Sequence, residues 1–159
     1  MLGTVLAVAT PAFADPLGPY RIHPYANYNK CLDVTDVSYA NGAYLQLYDC
    51  LSNQQNQQFY LWRVSGTSEV YQIQAIHSWK CLDVKDVSQA TGARIQQYDC
   101  LGTSQLNQLF QKEYDSGTSY STFYAMHSGK KLAHYGTTNG SQVVQELTTG
   151  TWLWYLELV

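Results

Sequence analysis

The sequence predicts an all-β domain of three pseudo-equivalent units, about four strands each, closed around a common three-fold axis. The first observation behind this is a segment that recurs at a spacing of fifty residues. Positions 30–51 and 80–101 match at sixteen of twenty-two places, both opening on Lys-Cys-Leu-Asp-Val and ending on Tyr-Asp-Cys-Leu. A fixed period of this length marks stacked or symmetric supersecondary units. The second is a weaker third copy, in which 125–133 (AMHSGKKLA) aligns with 75–83 (AIHSWKCLD) and Asn139-Gly140-Ser141 answers Thr91-Gly92-Ala93. The third is periodicity. Tyr44 to Tyr48 alternates apolar and polar, Arg94 to Tyr98 does so more loosely, and no segment holds a capped 3.6-residue period. Closing such strands on themselves removes exposed sheet edges.

In chain order, residues 1–14 read as the end of a signal peptide. The apolar run Leu2–Thr10 is too short to span a bilayer, and Ala12-Phe13-Ala14 has the small-x-small form of a cleavage site before Asp15. The domain then occupies 15–159, with copies at roughly 20–69, 70–119 and 120–159. Asn41-Gly42 and Asn139-Gly140 are hairpin-turn dipeptides. Each copy closes on a polar-x-aromatic step: Gln57-Gln58-Phe59, Gln108-Leu109-Phe110 and Trp152-Leu153-Trp154.

Four cysteines allow three pairings. Equivalent copies should fold alike, which selects Cys31–Cys50 and Cys81–Cys100. Each bridge would close a loop of about twenty residues, worth about 3 kcal/mol in the chain-entropy model. Zinc is disfavoured because no CxxC is present. Disulfides and the signal-like start together predict a secreted protein.

Composition narrows the partner. Charged residues are 13% of the chain, about half the usual share, while fourteen tyrosines and many Gln, Asn, Ser and Thr make up the difference. A net charge of −3 without a basic run argues against a nucleic-acid backbone. A neutral, tyrosine-rich surface suits an uncharged polyhydroxyl ligand, and part of the excess is β-propensity.

Cys-Leu-Asp-Val, then Asn/Thr-Gly-Ala, Gln-x-Tyr-Asp-Cys and Asn-Gln-x-Phe, resembles the ricin B-chain type lectins and carbohydrate-binding module family 13. The resemblance covers nearly all of 15–159 and is specific in the first two copies. It implies a β-trefoil of twelve strands with up to three shallow sugar pockets, and no cofactor or metal. The family's usual core tryptophan in Gln-x-Trp is replaced by Phe59 and Phe110.

The resemblance carries sugar contacts to Asp33, Gln46, Tyr48 and Asn56 in the first copy, and to Asp83, Gln96, Tyr98 and Asn107 in the second. The chemistry agrees. Asp33 could accept two hydroxyl hydrogen bonds. Gln46 and Tyr48 share a strand face, leaving Leu45 and Leu47 for the core. In an extended stretch Asn56 and Gln57 would face opposite ways, with Gln57 turned to the core side. Asp36 and Asp86 are expected in a turn or steadying role, Asp49 and Asp99 at the surface, and His77 and His127 as scaffold hydrogen-bonders. Trp79 is expected to line the second pocket or to cover the core.

In the third copy Ala133, Val144 and Glu146 replace the acceptor, amide and ring, so two working pockets are expected. Identical carboxylates in separate settings do not supply a glycosidase's two carboxylates on one sugar, and no GxSxG or HExxH occurs. The expected function is therefore a non-enzymatic, calcium-independent lectin for galactosides or for xylan-type polysaccharide. A targeting module of a glycoside hydrolase and a protein-binding trefoil such as a protease inhibitor are the rivals. A signal just before the domain and an end at its last strand favour a stand-alone protein.

Overall fold

The computed structural model describes residues 12–147 and 149–159. Residues 1–11, which hold most of the expected signal segment, lie outside the described residues. The chain forms twelve strands, four per copy. The first copy contains β1 (Leu17–Pro24), β2 (Lys30–Val34), β3 (Leu45–Asp49) and β4 (Phe59–Arg63). The second contains β5 (Val70–Ala75), β6 (Cys81–Val84), β7 (Ile95–Tyr98) and β8 (Leu109–Tyr114), and the third β9 (Tyr120–Ala125), β10 (Lys131–Tyr135), β11 (Ser141–Glu146) and β12 (Trp154–Leu158). Short 3-10 turns are the only helical elements among the described residues, as the missing 3.6 period predicts.

Six strands close a barrel. β1 pairs with β4 and β12, β5 with β4 and β8, and β9 with β8 and β12, all antiparallel. The other six form three hairpins that cap one end: β2–β3, β6–β7 and β10–β11. The hairpins touch through β3–β11 and the single bridges Tyr44–Gln96 and Arg94–Val144. This is the three-fold closed architecture that the repeat predicts.

Strand alternation fills the interior. Phe59, Phe110 and Trp154, the closing aromatics of the three copies, are fully buried, as are Ile22, Ile73 and Phe123 elsewhere in the barrel wall. The hairpins add Leu32 and Leu82, with Leu132 nearly as deep, and Leu45, Ile95 and Val143 beside them. Trp154 is the one closing tryptophan, and its indole N–H donates to the Leu132 carbonyl at 2.9 Å, so burying it orphans no donor. The cysteines pair as expected, with 5.1 Å between the α-carbons in both bridges. His23 lies beside Cys31 and Cys50, but sulfurs bonded to each other offer no thiolate to a metal.

Candidate functional site

Asp33 lies on β2 between Leu32 and Val34. Both neighbours are buried in the core, so alternation turns the carboxylate to the opposite face. Across the hairpin Asp33 is in register with Gln46, and Gln46 Nε2 donates to Asp33 Oδ1 at 2.9 Å. Leu45 and Leu47 are fully buried, leaving Gln46 and Tyr48 on the carboxylate's side, where Tyr48 is 37% exposed.

The stretch carrying Asn56 is not extended. Gln55–Gln57 is a 3-10 turn, and this corrects the expectation that Asn56 and Gln57 diverge. Both amides converge on one oxygen: Asn56 Nδ2 and Gln57 Nε2 each donate to Asp33 Oδ2 at 2.9 Å. Gln57 is fully buried, as a core-side hydrogen-bonder should be, and also donates to the Asp49 carbonyl and accepts from the Leu51 amide.

Three amide donors change what the carboxylate can still do. A carboxylate has about four acceptor positions. Oδ2 is filled by two amides and Oδ1 holds one, so about one position on Oδ1 is left for a ligand hydroxyl. The expectation of two accepted hydroxyls is reduced to one by this count. Burial raises the Asp33 carboxyl above the ordinary aspartate value, and the Gln46, Gln57 and Asn56 amides oppose that rise without cancelling it.

The second copy reproduces the arrangement. Asp83 accepts from Gln96 at 2.9 Å, from Asn107 at 2.9 Å and from Gln108 at 3.0 Å. Its carboxyl is likewise raised by burial against the same three kinds of amide. In both copies the amide oxygen of the asparagine, Asn56 Oδ1 or Asn107 Oδ1, is buried without a protein partner among the described residues.

Around each aspartate lies a shallow depression of about 210 Å³ in the first copy and 280 Å³ in the second. The expected residues meet in both: Asp33, Gln46, Tyr48 and Asn56 in one, Asp83, Gln96, Tyr98 and Asn107 in the other. Four further positions complete each wall, and they too are the same residue types in both copies: Asp36, Val37, Leu51 and Gln54, matched by Asp86, Val87, Leu101 and Gln105. Sequence reasoning gave Asp36 and Asp86 only a turn or steadying role and did not select the other six. The repeated Asp-Val-Ser and terminal Leu of the fifty-residue segment were the available signal.

Asp36 and Val37 reach the wall through an unusual backbone. Their φ angles are 57° and 51°, repeated at Asp86 and Val87. A β-branched residue in the left-handed region is strained, at about 1–3 kcal/mol, and such strain concentrates at functional sites. Here it lifts Val37, 44% exposed, to the rim beside the carboxylate.

The remaining candidates fall outside the pockets. His77 Nε2 donates to the Ser38 carbonyl at 2.8 Å and His127 Nε2 to Ser88 at 2.9 Å, each tying its copy to the preceding one, which fits the scaffold role. Asp49 and Asp99 are exposed and hold Lys30 and Lys80. Trp79 neither lines the second pocket nor covers the core; it is 62% exposed on a left-handed backbone.

In the third copy Ala133 is in register with Val144, where the others pair Asp with Gln. Glu146 instead accepts from the Tyr135 hydroxyl, which holds its carboxyl below the usual range. The carboxylate, amide and tyrosine ring that the first two copies hold at these positions are all replaced in this hairpin.

Comparison with known proteins agrees with this geometry. The family model for ricin-type β-trefoil lectin-like domains matches residues 14–98 and again 55–146. No curated protein sequence matches the chain. Among solved structures, the designed three-fold symmetric protein ThreeFoil is 33% identical, with a TM-score of 0.78 over 88% of this chain and 98% of that one. An exo-β-1,3-galactanase from Clostridium thermocellum is 30% identical with a TM-score of 0.76; the match covers 89% of this chain and 30% of the enzyme. The Polyporus squamosus lectin, solved with the epitope Neu5Acα2-6Galβ1-4GlcNAc, shares the fold at 14% identity and a TM-score of 0.74, over 89% of this chain and 49% of that one. With the repeat, the closed barrel and the duplicated carboxylate–amide pockets, these matches establish that the chain belongs to the ricin-type β-trefoil lectin-like domain family.

Proposed function

We propose that this protein is a secreted, non-enzymatic lectin with two equivalent sugar pockets, centred on Asp33 and Asp83, that need no calcium. The observation that carries the reading is the pair of walls built from the same eight residue types, set against a third copy that has lost the acceptor, amide and ring together. In each pocket one free carboxylate position accepts a sugar hydroxyl through a charge-assisted bond. The asparagine amide oxygen takes a second hydroxyl, and Tyr48 or Tyr98 offers a ring to the C–H face of the pyranose. Each wall also holds a second carboxylate, Asp36 or Asp86; the non-enzymatic reading is supported by the lectin-like family that the chain matches.

Galactose-configured sugars are the first ligands to test. That choice is supported by the galactanase and by the lectin epitope containing galactose, which are properties of those two proteins. Xylan-type polysaccharide is the second arm. Because the match fills less than a third of the galactanase, a targeting module within a larger enzyme is the reading to set beside a stand-alone lectin. A glycan array of the wild type and of Asp33→Ala/Asp83→Ala tests the proposal. Binding lost in the double variant is the expected result, and unchanged binding, or no glycan signal from the wild type, overturns it.

A further inference from the structure

At the barrel end where β4 turns into β5 and β8 into β9, three-fold symmetry fails at two positions. Tyr20, Tyr71 and Ser121 are structural equivalents, in register with the closing aromatics Phe59, Phe110 and Trp154. Leu61, Lys112 and Leu156 are likewise equivalent, in register with Ile73, Phe123 and Ile22. The third copy thus has serine where the others have tyrosine, and the second has lysine where the others have leucine. All six residues line one cavity of about 360 Å³, to which Tyr114 and Tyr155 add rings. It shares no residue with either sugar pocket.

The two departures complement each other. Ser121 is 2% exposed and lies on the floor of the cavity, which opens to solvent past the exposed Tyr114, Thr118 and Ser119. Lys112 is 5% exposed, with Nζ 3.4 Å from the centroid of the Tyr114 ring and 3.6 Å from the Glu69 carboxylate. The latter distance is beyond a hydrogen bond. An ammonium has three donors, and among the described residues none of them finds a hydrogen-bond acceptor. Glu69 already balances the charge and also accepts from the Tyr71 hydroxyl at 3.1 Å, so a further carboxylate would meet repulsion. A neutral ring carrying an acceptor fits better. An apolar cavity of about 150 Å³ can hold benzene, which leaves room here for a substituted ring among tyrosine edges and faces.

We propose that this cavity is a binding site for a small single-ring phenol, whose ring takes the place of the missing third tyrosine and whose hydroxyl oxygen accepts from Lys112. The probe is p-cresol, the tyrosine side chain itself, titrated calorimetrically with toluene as the analogue lacking the hydroxyl. The expected result is saturable one-to-one binding of p-cresol, at least tenfold tighter than toluene. Ser121→Tyr should fill the space and weaken p-cresol at least tenfold. Lys112→Leu, which restores the leucine triangle, should bind both compounds about equally. Asp33→Asn/Asp83→Asn should bind p-cresol like the wild type, so that a failure of the sugar assignment leaves this test intact. Absence of saturable p-cresol binding at millimolar concentration, or equal affinity for p-cresol in the wild type and a folded Ser121→Tyr, overturns the proposal. If Ser121→Tyr does not fold, an undiminished preference for p-cresol over toluene in Lys112→Leu does so.

Discussion

Replacing Asp33 with asparagine separates the scaffold role of this side chain from its ligand role. The oxygen of the introduced amide must take the place of Oδ2, because two amide donors, from Asn56 and Gln57, converge there at 2.9 Å. The opposite orientation would set an NH2 against both. The new NH2 then occupies the Oδ1 position, and Gln46 can turn its amide to present oxygen to it. The hydrogen bonding of the pocket floor survives, but the ligand hydroxyl meets a donor in place of its acceptor. One charge-assisted bond is lost, about 1.5–3 kcal/mol, or roughly a 10- to 150-fold loss of affinity at that pocket. The eight wall residue types are the same in both pockets, so the second pocket should keep its affinity. Titration calorimetry with lactose should show two equal sites in the wild type and one at unchanged affinity in Asp33→Asn. Asp83→Asn should mirror this, and the double variant should show no site in the same range. Two full-strength sites in Asp33→Asn, or loss of both, would refute the assignment, provided circular dichroism shows a folded protein.

Acid should separate binding from folding in the wild type. Burial raises the Asp33 and Asp83 carboxyls, so protonation favours their folded state and their contribution to stability does not fall on acidification. Asp49 and Asp99 are lowered, chiefly by Lys30 and Lys80, so their contribution is present above the unfolded pKa and lost as pH falls through the folded one. Lactose affinity should therefore decline at a pH where near-ultraviolet dichroism is still native; simultaneous loss would contradict this. Gln57→Ala removes two donated bonds and one accepted bond of a fully buried amide, and should cost about 2–4 kcal/mol in urea unfolding as well as weakening the first pocket. Asn139→Ala opens a junction between copies where the side chain accepts from Lys30 and the Asp49 amide and donates to Asp49. A loss of about 1–2 kcal/mol is expected, with lactose affinity unchanged. Removing both disulfides by Cys→Ala in pairs should lower stability by about 2–4 kcal/mol per bridge, read as a fall in the urea midpoint.

Much of the architecture was legible because each copy repeats the same local statement. The alternation of Leu45, Gln46, Leu47 and Tyr48 assigns core and outward faces without any tertiary information, and Phe59, Phe110 and Trp154 mark where each copy turns into the core. The floor of the pocket was less legible. Nothing in Gln54-Gln55-Asn56-Gln57 distinguishes a 3-10 turn from a strand, yet that turn is what brings Gln57 beside Asn56 and fills most of the carboxylate. The left-handed Asp36-Val37 backbone was hidden for a related reason. Valine disfavours that conformation, so local propensity points away from it, and surrounding structure overrides it. Long-range ties were least visible. Asn41 and Asn139 read as turn residues, but their side chains clasp Asp99 and Asp49 in other copies, 58 and 90 residues away in sequence.

Those ties also explain why a two-site lectin would keep three copies. The turn that follows the first pocket's strained Asp36-Val37 is held by the second copy, through His77 to the Ser38 carbonyl and Gln97 to Ser38 and Ala40. The corresponding turn of the second pocket is held by the third copy, through His127 to Ser88 and Gln145 to Ser88 and Ala90. Each pocket is therefore steadied by the copy after it. The remaining junction, where the first copy backs the third, has Asn27 in place of the histidine and the apolar Leu47 in place of the glutamine, and Asn27 reaches the Thr137 carbonyl only at 3.4 Å. This junction keeps the Asn139 clasp on Lys30 and Asp49 but lacks the histidine and glutamine ties, and it lies behind the hairpin that carries Ala133, Val144 and Glu146. Loss of the pocket and loss of these ties coincide at one place, while the third copy keeps the His127 and Gln145 that the second pocket needs. On this reading its role extends beyond closing the barrel: it forms the back of the Asp83 site.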